Sequence, residues 1–318
     1  METQPTMTAA PAKTPSRWKF IQRVMENPVI LKELRGRMRG RQAFILLTFY
    51  LGLIGLVIGI VYMTLSAQAS YMGMDPDFRQ SVGKAIFGTV VLLELALVSF
   101  IGPALTAGAI TSERERQTFD LLRTTTLPAS SFVLGKLSSA LAFLLLLIFT
   151  ALPIESIAFL LGGVELAEII VSSLLLVVTA VAYCTLGIFF SSFMKRTLAA
   201  TVSSYGAIVL SFVLLGIAFF LLIYVDVALS SASTSRNEAL AIITILFLWL
   251  LVSTNPLLTA IASEVVLVQE QSLVIFTVPL GNRSLDLLSP WIPFVIIYLL
   301  LTFIMIRLSI NFVRRPDR

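Results

Sequence analysis

The sequence predicts an all-α polytopic membrane protein with six transmembrane helices, and three observations carry that prediction. Apolar residues make up 57% of the 318 positions and charged residues only 13%, against about a quarter charged in soluble domains. Six apolar runs are each about 20 residues or longer, enough to cross a bilayer as a helix. Lysine and arginine collect beside alternate ends of those runs, the bias that sets membrane orientation. Helices satisfy their backbone internally in lipid. A barrel would need short alternating segments of about ten residues, and the chain has none.

Residues 1–16, "METQPTMTAAPAKTPS", read as a disordered tail. Neither an early apolar core nor a small-residue cleavage site is present before residue 42, so no signal peptide is expected. Residues 17–42 read as a basic amphipathic elbow helix lying in the membrane interface. Asn27 can cap a restart and Pro28 suits the first helical position. Beyond them Ile30, Leu31, Leu34 and Met38 form an apolar stripe against Lys32, Arg35, Arg37, Arg39 and Arg41. This helix either only anchors the chain to anionic lipid or also helps hold a partner.

The expected spans are 43–65, 83–110, 137–161, 168–193, 198–225 and 290–312. With the N-terminus inside, 18 basic residues fall on the cytoplasmic side and four outside: Arg79, Lys84, Arg236 and Arg283. Both termini are therefore expected in the cytoplasm. Trp291, between Pro290 and Pro293, fits an outer interfacial anchor. Residues 226–289 are expected outside. Within them "ALAIITILFLWLLVSTNPLLTAI" is apolar enough to span, but Glu264, Gln269, Glu270 and Gln271 follow. A re-entrant or interfacial hairpin broken at Asn255-Pro256 is preferred over two further spans.

Between the second and third spans lies residues 111–136, which carry "TSERERQTFDLLRTTTLPASS". Ser112 and Glu115 have capping-box spacing. Glu113 and Glu115 would sit at the positive end of a helix dipole, with Arg123 near its other end. Pro128 ends the run. A capped helix over about 113–125 is predicted, with Phe119 and Leu122 on one face and Arg114 and Arg116 among the charges around it. That face suits a groove on another protein, or it packs back on the chain's own helices.

In the spans, Glu94 lies between "VVLL" and "LALV", and Glu155 follows Pro153. An ionisable group at such depth is a functional candidate. Glu94 could face a substrate path, pair with a neighbour, be protonated, or bond a hydroxyl on another helix. Gly55 and Gly59 have the G-x-x-x-G spacing of close helix contacts. The chain has no histidine and one cysteine, Cys184, which reads as a small core residue. A disulfide within the chain and a His/Cys metal cluster are excluded. An intramembrane protease would lack its usual base or ligand, so no catalytic residue and no metal site are assigned.

Two segments, "NPVILKELRGRMRGRQAF" (Asn27–Phe44) and "ITSERERQTFDLLRTTTLPASSFVLGK" (Ile110–Lys136), resemble those of ABC-2 type permeases, the membrane subunits of ATP-binding cassette transporters. The first matches the family's Asn-Pro…Lys/Arg-Glu-Leu…Arg element in Asn27, Pro28, Lys32, Glu33 and Arg35. The second matches its Ser-Glu-Arg-Glu…Leu-Leu…Pro…Gly-Lys loop, with Gln117 where glycine is frequent and Leu127 where threonine is. The resemblance implies a six-span, type V exporter-like permease fold in the plasma membrane. It implies a second permease chain and a separate ATPase that binds ATP and magnesium. The loop helix would be the coupling helix, contacting the ATPase through Ser112, Glu113, Arg114, Glu115, Arg116, Phe119, Leu122 and Arg123. Spans two and five border the path in this family, which makes Ser203 and Tyr205 lining candidates beside Glu94 and Glu155. No phosphate loop G-x-x-x-x-G-K-[ST] occurs in the chain. Nucleic acid is not an expected partner. The competing expectation is an ATP-independent channel, secondary transporter or assembly scaffold built on the two carboxylates.

Overall fold

The structure, a computed structural model, describes residues 41–72, 77–119, 128–231, 238–270, 272–280 and 283–314. The tail and most of the elbow segment, with Asn27, Pro28, Lys32, Glu33 and Arg35, lie outside the described residues, as do Leu122 and Arg123.

Among the described residues, six helices are long and apolar enough to cross a membrane. They are α1 (Arg41–Met72), α2 (Asp77–Thr106), α4 (Ala129–Leu161), α5 (Leu166–Phe193), α6 (Thr197–Ser231) and α9 (Trp291–Arg314). All six expected spans are thus present, each a few residues longer than the apolar run. The exception is the end of the second. Its helix stops at Thr106, and a turn at 107–110 leads into a five-residue helix, α3 (Thr111–Glu115).

The core is the trio α2, α4 and α5, with α1 laid on α2, and α6 and α9 laid on α5. Small residues allow the close crossing of α2 and α5. A Cβ on Gly187 would collide with the side chain of Thr106 and lie 3.1 Å from the amide nitrogen of Ala107. The turn between α4 and α5 needs its glycines. Gly162 and Gly163 have φ of 82° and 95°, a region that side chains with a Cβ rarely enter. Helix α5 then opens with a capping box, in which Glu165 and Glu168 satisfy each other's backbone amides.

Before the last span, α7 (Glu238–Val252) and α8 (Pro256–Glu270) meet at a bend of 116°. The break falls where the sequence puts it. Asn255 Oδ1 accepts from the amides of Leu257 (3.0 Å) and Leu258 (3.4 Å), capping α8, and Pro256 takes the first helical position. Its Nδ2 donates to the carbonyl of Ser211 in mid-α6 (2.9 Å), and the Tyr298 hydroxyl of α9 donates to the carbonyl of Thr254 (2.9 Å). The tip of the bend is therefore stapled to two spans. The pair is a bent helical hairpin, with each arm 15 residues.

One feature departs from an all-α chain. Strands β1 (Ile275–Leu280) and β2 (Arg283–Leu288) pair antiparallel, Ile275 opposite Leu288 and Leu280 opposite Arg283. The sequence carried the signal in two apolar-rich runs around Gly281-Asn282. Two indoles fix the base of this hairpin. Trp249 Nε1 donates to the carbonyl of Leu288 (2.7 Å) and Trp291 Nε1 to that of Leu273 (2.9 Å).

Candidate functional site

Two polar constellations stand out against the apolar helices. The first is the junction around α3. Expected to be a helix over 113–125 capped by Ser112, it begins at Thr111 and ends at Glu115, where Gln117 takes a φ of 59°. Ser112 does not cap it. The cap comes from another span. Ser191 Oγ, fully buried on α5, accepts from the amides of Ile110 (2.8 Å) and Thr111 (3.1 Å). With those amides satisfied from outside, the capping box within the segment is not needed.

Freed of that task, the charged residues of α3 close other helices. Glu115 accepts from the amide (2.7 Å) and hydroxyl (2.9 Å) of Thr197, so its carboxylate caps the N-terminus of α6. Arg114 Nη1 donates to the carbonyl of Met194 (2.9 Å), which ends α5, and a cation is favourable there. Glu113 forms a salt bridge of 3.3 Å with Lys136 of α4 and accepts from the Thr118 hydroxyl (2.5 Å). Lys136 is nearly buried, at 6% side-chain exposure, while Glu113 is 27% exposed, so the pair is shielded from water at its lysine end. One short segment thus ties together the ends of α2, α4, α5 and α6.

Phe119 belongs to the same junction. Its ring is 4% exposed, meets Phe132 edge-on at 6.3 Å and lies under the Arg114 guanidinium at 5.0 Å. The expectation that Phe119 presents itself to a partner is corrected: it packs on its own chain. Glu115, Arg116 and Gln117 are the residues left exposed beside it.

The second constellation lies within the spans. Glu94 of α2 and Glu155 of α4 are 0% and 2% exposed, and Tyr50 of α1 is 1% exposed. The three groups interact electrostatically with one another. Among the described residues, both carboxyl oxygens of Glu94, Oε2 of Glu155 and the hydroxyl of Tyr50 are buried with no partner at strict hydrogen-bond distance and angle. Tyr50 and Glu155 are nonetheless close enough to act on the charge of Glu94. The sequence identified both carboxylates but gave no sign that they meet, and Tyr50 was not recognised. Its place in an apolar run looks like that of any interfacial aromatic.

The remaining candidates lie apart from both constellations. Tyr205 donates to the carbonyl of Phe100 (2.9 Å) and stacks on its ring, joining α6 to α2, while Ser203 is half-buried on α6. Cys184 is buried beside Gly102. Among the described residues, none places an atom where a Cβ on Gly55 or Gly59 would stand, so the described bundle leaves that face of α1 open. Among the described residues, no group of three or more His, Cys, Asp or Glu could hold a metal ion.

A separate cavity of about 210 Å³ lies between α5, α6, α9 and the tip of the α7–α8 bend. It is apolar apart from hydroxyls such as those of Tyr183, Ser211 and Thr302.

No protein-family model and no curated protein matches the chain.

Proposed function

We propose that the chain is the permease subunit of an ABC-2 type transporter, forming the membrane pathway and coupling export to a separate ATPase. The observation that carries this reading is the junction around α3. A loop that only joined two spans could be a few polar residues. Here the loop segment caps α6, closes the end of α5 and is salt-bridged to α4. A push on it is delivered at once to four helix ends. That is what a coupling element between an ATPase and a membrane path requires, and the two motif-bearing segments point to the same family. In this reading the junction and both termini face the cytoplasm of the plasma membrane. The open faces of α1 and α6, the least buried of the six spans, are where a second permease chain or lipid packs. ATP and magnesium bind the ATPase.

The test is co-expression with candidate ABC ATPases, beginning with any whose gene adjoins this one. Arg116→Glu and Leu122→Glu are expected to abolish co-purification of the ATPase while leaving insertion and folding intact. An ATPase that stays bound to both variants, or none that binds the wild type, overturns the reading.

The buried pair Glu94 and Glu155 favours a second reading, an ATP-independent channel or secondary transporter. Substrate movement by the purified chain in vesicles without nucleotide would select it.

A further inference from the structure

We propose that Glu94, Glu155 and Tyr50 form an intramembrane proton-binding site, in which one proton is shared between the two carboxyl groups with the Tyr50 hydroxyl completing the site. The argument starts from burial. A carboxylate taken out of water must find a cation, a set of donors or a proton. Among the described residues Glu94 has no cation, and the Tyr50 hydroxyl alone is not the set of donors that an ionised carboxyl needs.

The groups facing Glu94 from each packed element are few. From α1 comes Tyr50 and from α4 comes Glu155. Helix α5 also packs on α2 and α4, but its Glu168 is turned to Lys84 and Glu165, and its Tyr183 to Tyr298 and Ser211. On α8, Glu264 interacts with Glu168 and Lys84. On α9, Tyr298 interacts with Tyr183. No lysine or arginine interacts with the carboxyl pair among the described residues.

Two ionised carboxylates cannot sit side by side in such a place, and in the known acid dyads the pair keeps one proton. The protonated carboxyl donates its O–H to its ionised neighbour. Tyr50, an uncharged donor buried against both, supplies a second O–H toward the remaining negative charge. Its hydroxyl, buried on a third helix and interacting with the Glu94 carboxyl, is the independent sign that the pocket is built for an acceptor. An apolar residue would fill the same space at no polar cost.

The site also has a means of changing its proton count. The carboxyls sit on different helices, and Glu155 follows Pro153, which removes one backbone hydrogen bond from α4. A relative rotation of α2 and α4 would separate the carboxyls. Apart, each titrates alone, and together they hold the proton cooperatively.

Infrared difference spectroscopy of the purified protein in vesicles tests this. The carboxylic-acid carbonyl stretch is followed as the pH is raised in potassium-free and sodium-free buffer. The wild type is expected to keep a carboxylic-acid band at neutral pH, where solvent-facing carboxyls are ionised. Glu155→Gln is expected to shift its midpoint by about one pH unit or more, and Tyr50→Phe to move the band frequency. In Glu94→Gln/Glu155→Gln the band is lost. Glutamine nearly preserves shape, and a melting curve of each variant checks folding.

A wild type without the band at neutral pH overturns the proposal independently of any variant. So does a band that survives in the double variant, or one whose midpoint Glu155→Gln leaves in place. If the band appears only when sodium and potassium are withdrawn, the site holds a metal cation and the proton assignment is wrong. None of these outcomes depends on whether an ATPase binds.

Discussion

Ser191→Ala is the sharpest probe of the junction. The hydroxyl of Ser191 accepts two backbone amides, those of Ile110 and Thr111, and all three residues are fully buried. Removing it leaves two N–H groups without an acceptor where water cannot replace it. A buried donor left unmade costs about 1–3 kcal/mol, and loss of a helix cap costs about 0.5–2 kcal/mol. The two descriptions overlap, so a loss of about 2–4 kcal/mol is expected. Ser204→Ala is the control. Ser204 is equally buried, but its hydroxyl only donates to the carbonyl of Ala200 in its own helix, so no donor is stranded. The assay is thermal unfolding of the solubilised protein, with amide hydrogen exchange read at 108–119. Ser191→Ala should lower the midpoint by several degrees and speed exchange in that segment, and Ser204→Ala should do neither. Equal effects of the two substitutions would refute capping of α3 from α5.

Other outcomes follow from the same geometry. Gly187→Ala pushes a methyl into Thr106 and against the backbone of Ala107; it should cost about 1–3 kcal/mol, visible as a lowered melting midpoint. Asn255→Ala removes the α8 cap and the tie to Ser211; a loss of about 1–2 kcal/mol is expected, with faster proteolysis between α7 and α8. A double-mutant cycle of Glu113→Gln and Lys136→Met should give a coupling of about 0.5–3 kcal/mol, because the pair is shielded at its Lys136 end; a coupling of zero would mean the salt bridge ties nothing.

The spans were legible because hydrophobic length is a one-dimensional property. The bend at Asn255-Pro256 was legible for a related reason: a cap and a proline act on their own neighbours. Ser112 and Glu115 had the same kind of local signature, yet it misled. Their pattern states what the segment could do alone, and Ser191, about 80 residues away, supplies the acceptor first. The box at Glu165 and Glu168, with no such competitor, forms as its spacing allows. Phe119 failed for a parallel reason. An apolar face beside charges looks the same whether it meets a partner or its own chain, and only Phe132 and Arg114 decide it. The β-hairpin was readable in principle, but its runs sit in a region dominated by helical hydropathy.

The two constellations are not independent places in the fold. Glu94 and Glu113 are nineteen residues apart, as are Lys136 and Glu155. On α4, a continuous helix, this is about 28 Å at the helical rise, while the other arm runs along α2 to Thr106 and through the turn into α3. The same two arms are therefore joined twice, by a salt bridge at one end and by a carboxyl pair deep in the bundle. These joints differ in kind. The salt bridge favours contact between the arms under ordinary conditions. The carboxyl pair favours contact only while it holds a proton, and opposes contact once both groups ionise. A force applied at the α3 junction would act through arms whose far contact depends on protonation. Conversely, a change in proton count would be felt at the junction, since binding linkage is reciprocal. Glu94→Gln/Glu155→Gln removes the repulsion but keeps the helices, so it should uncouple the junction from pH without loosening it. Hydrogen exchange at 108–119 in the wild type should then vary with pH beyond the intrinsic chemical rate, and in the double variant it should not. Identical pH profiles in the two proteins would mean that the joints act separately, leaving the α3 junction a fixed knot.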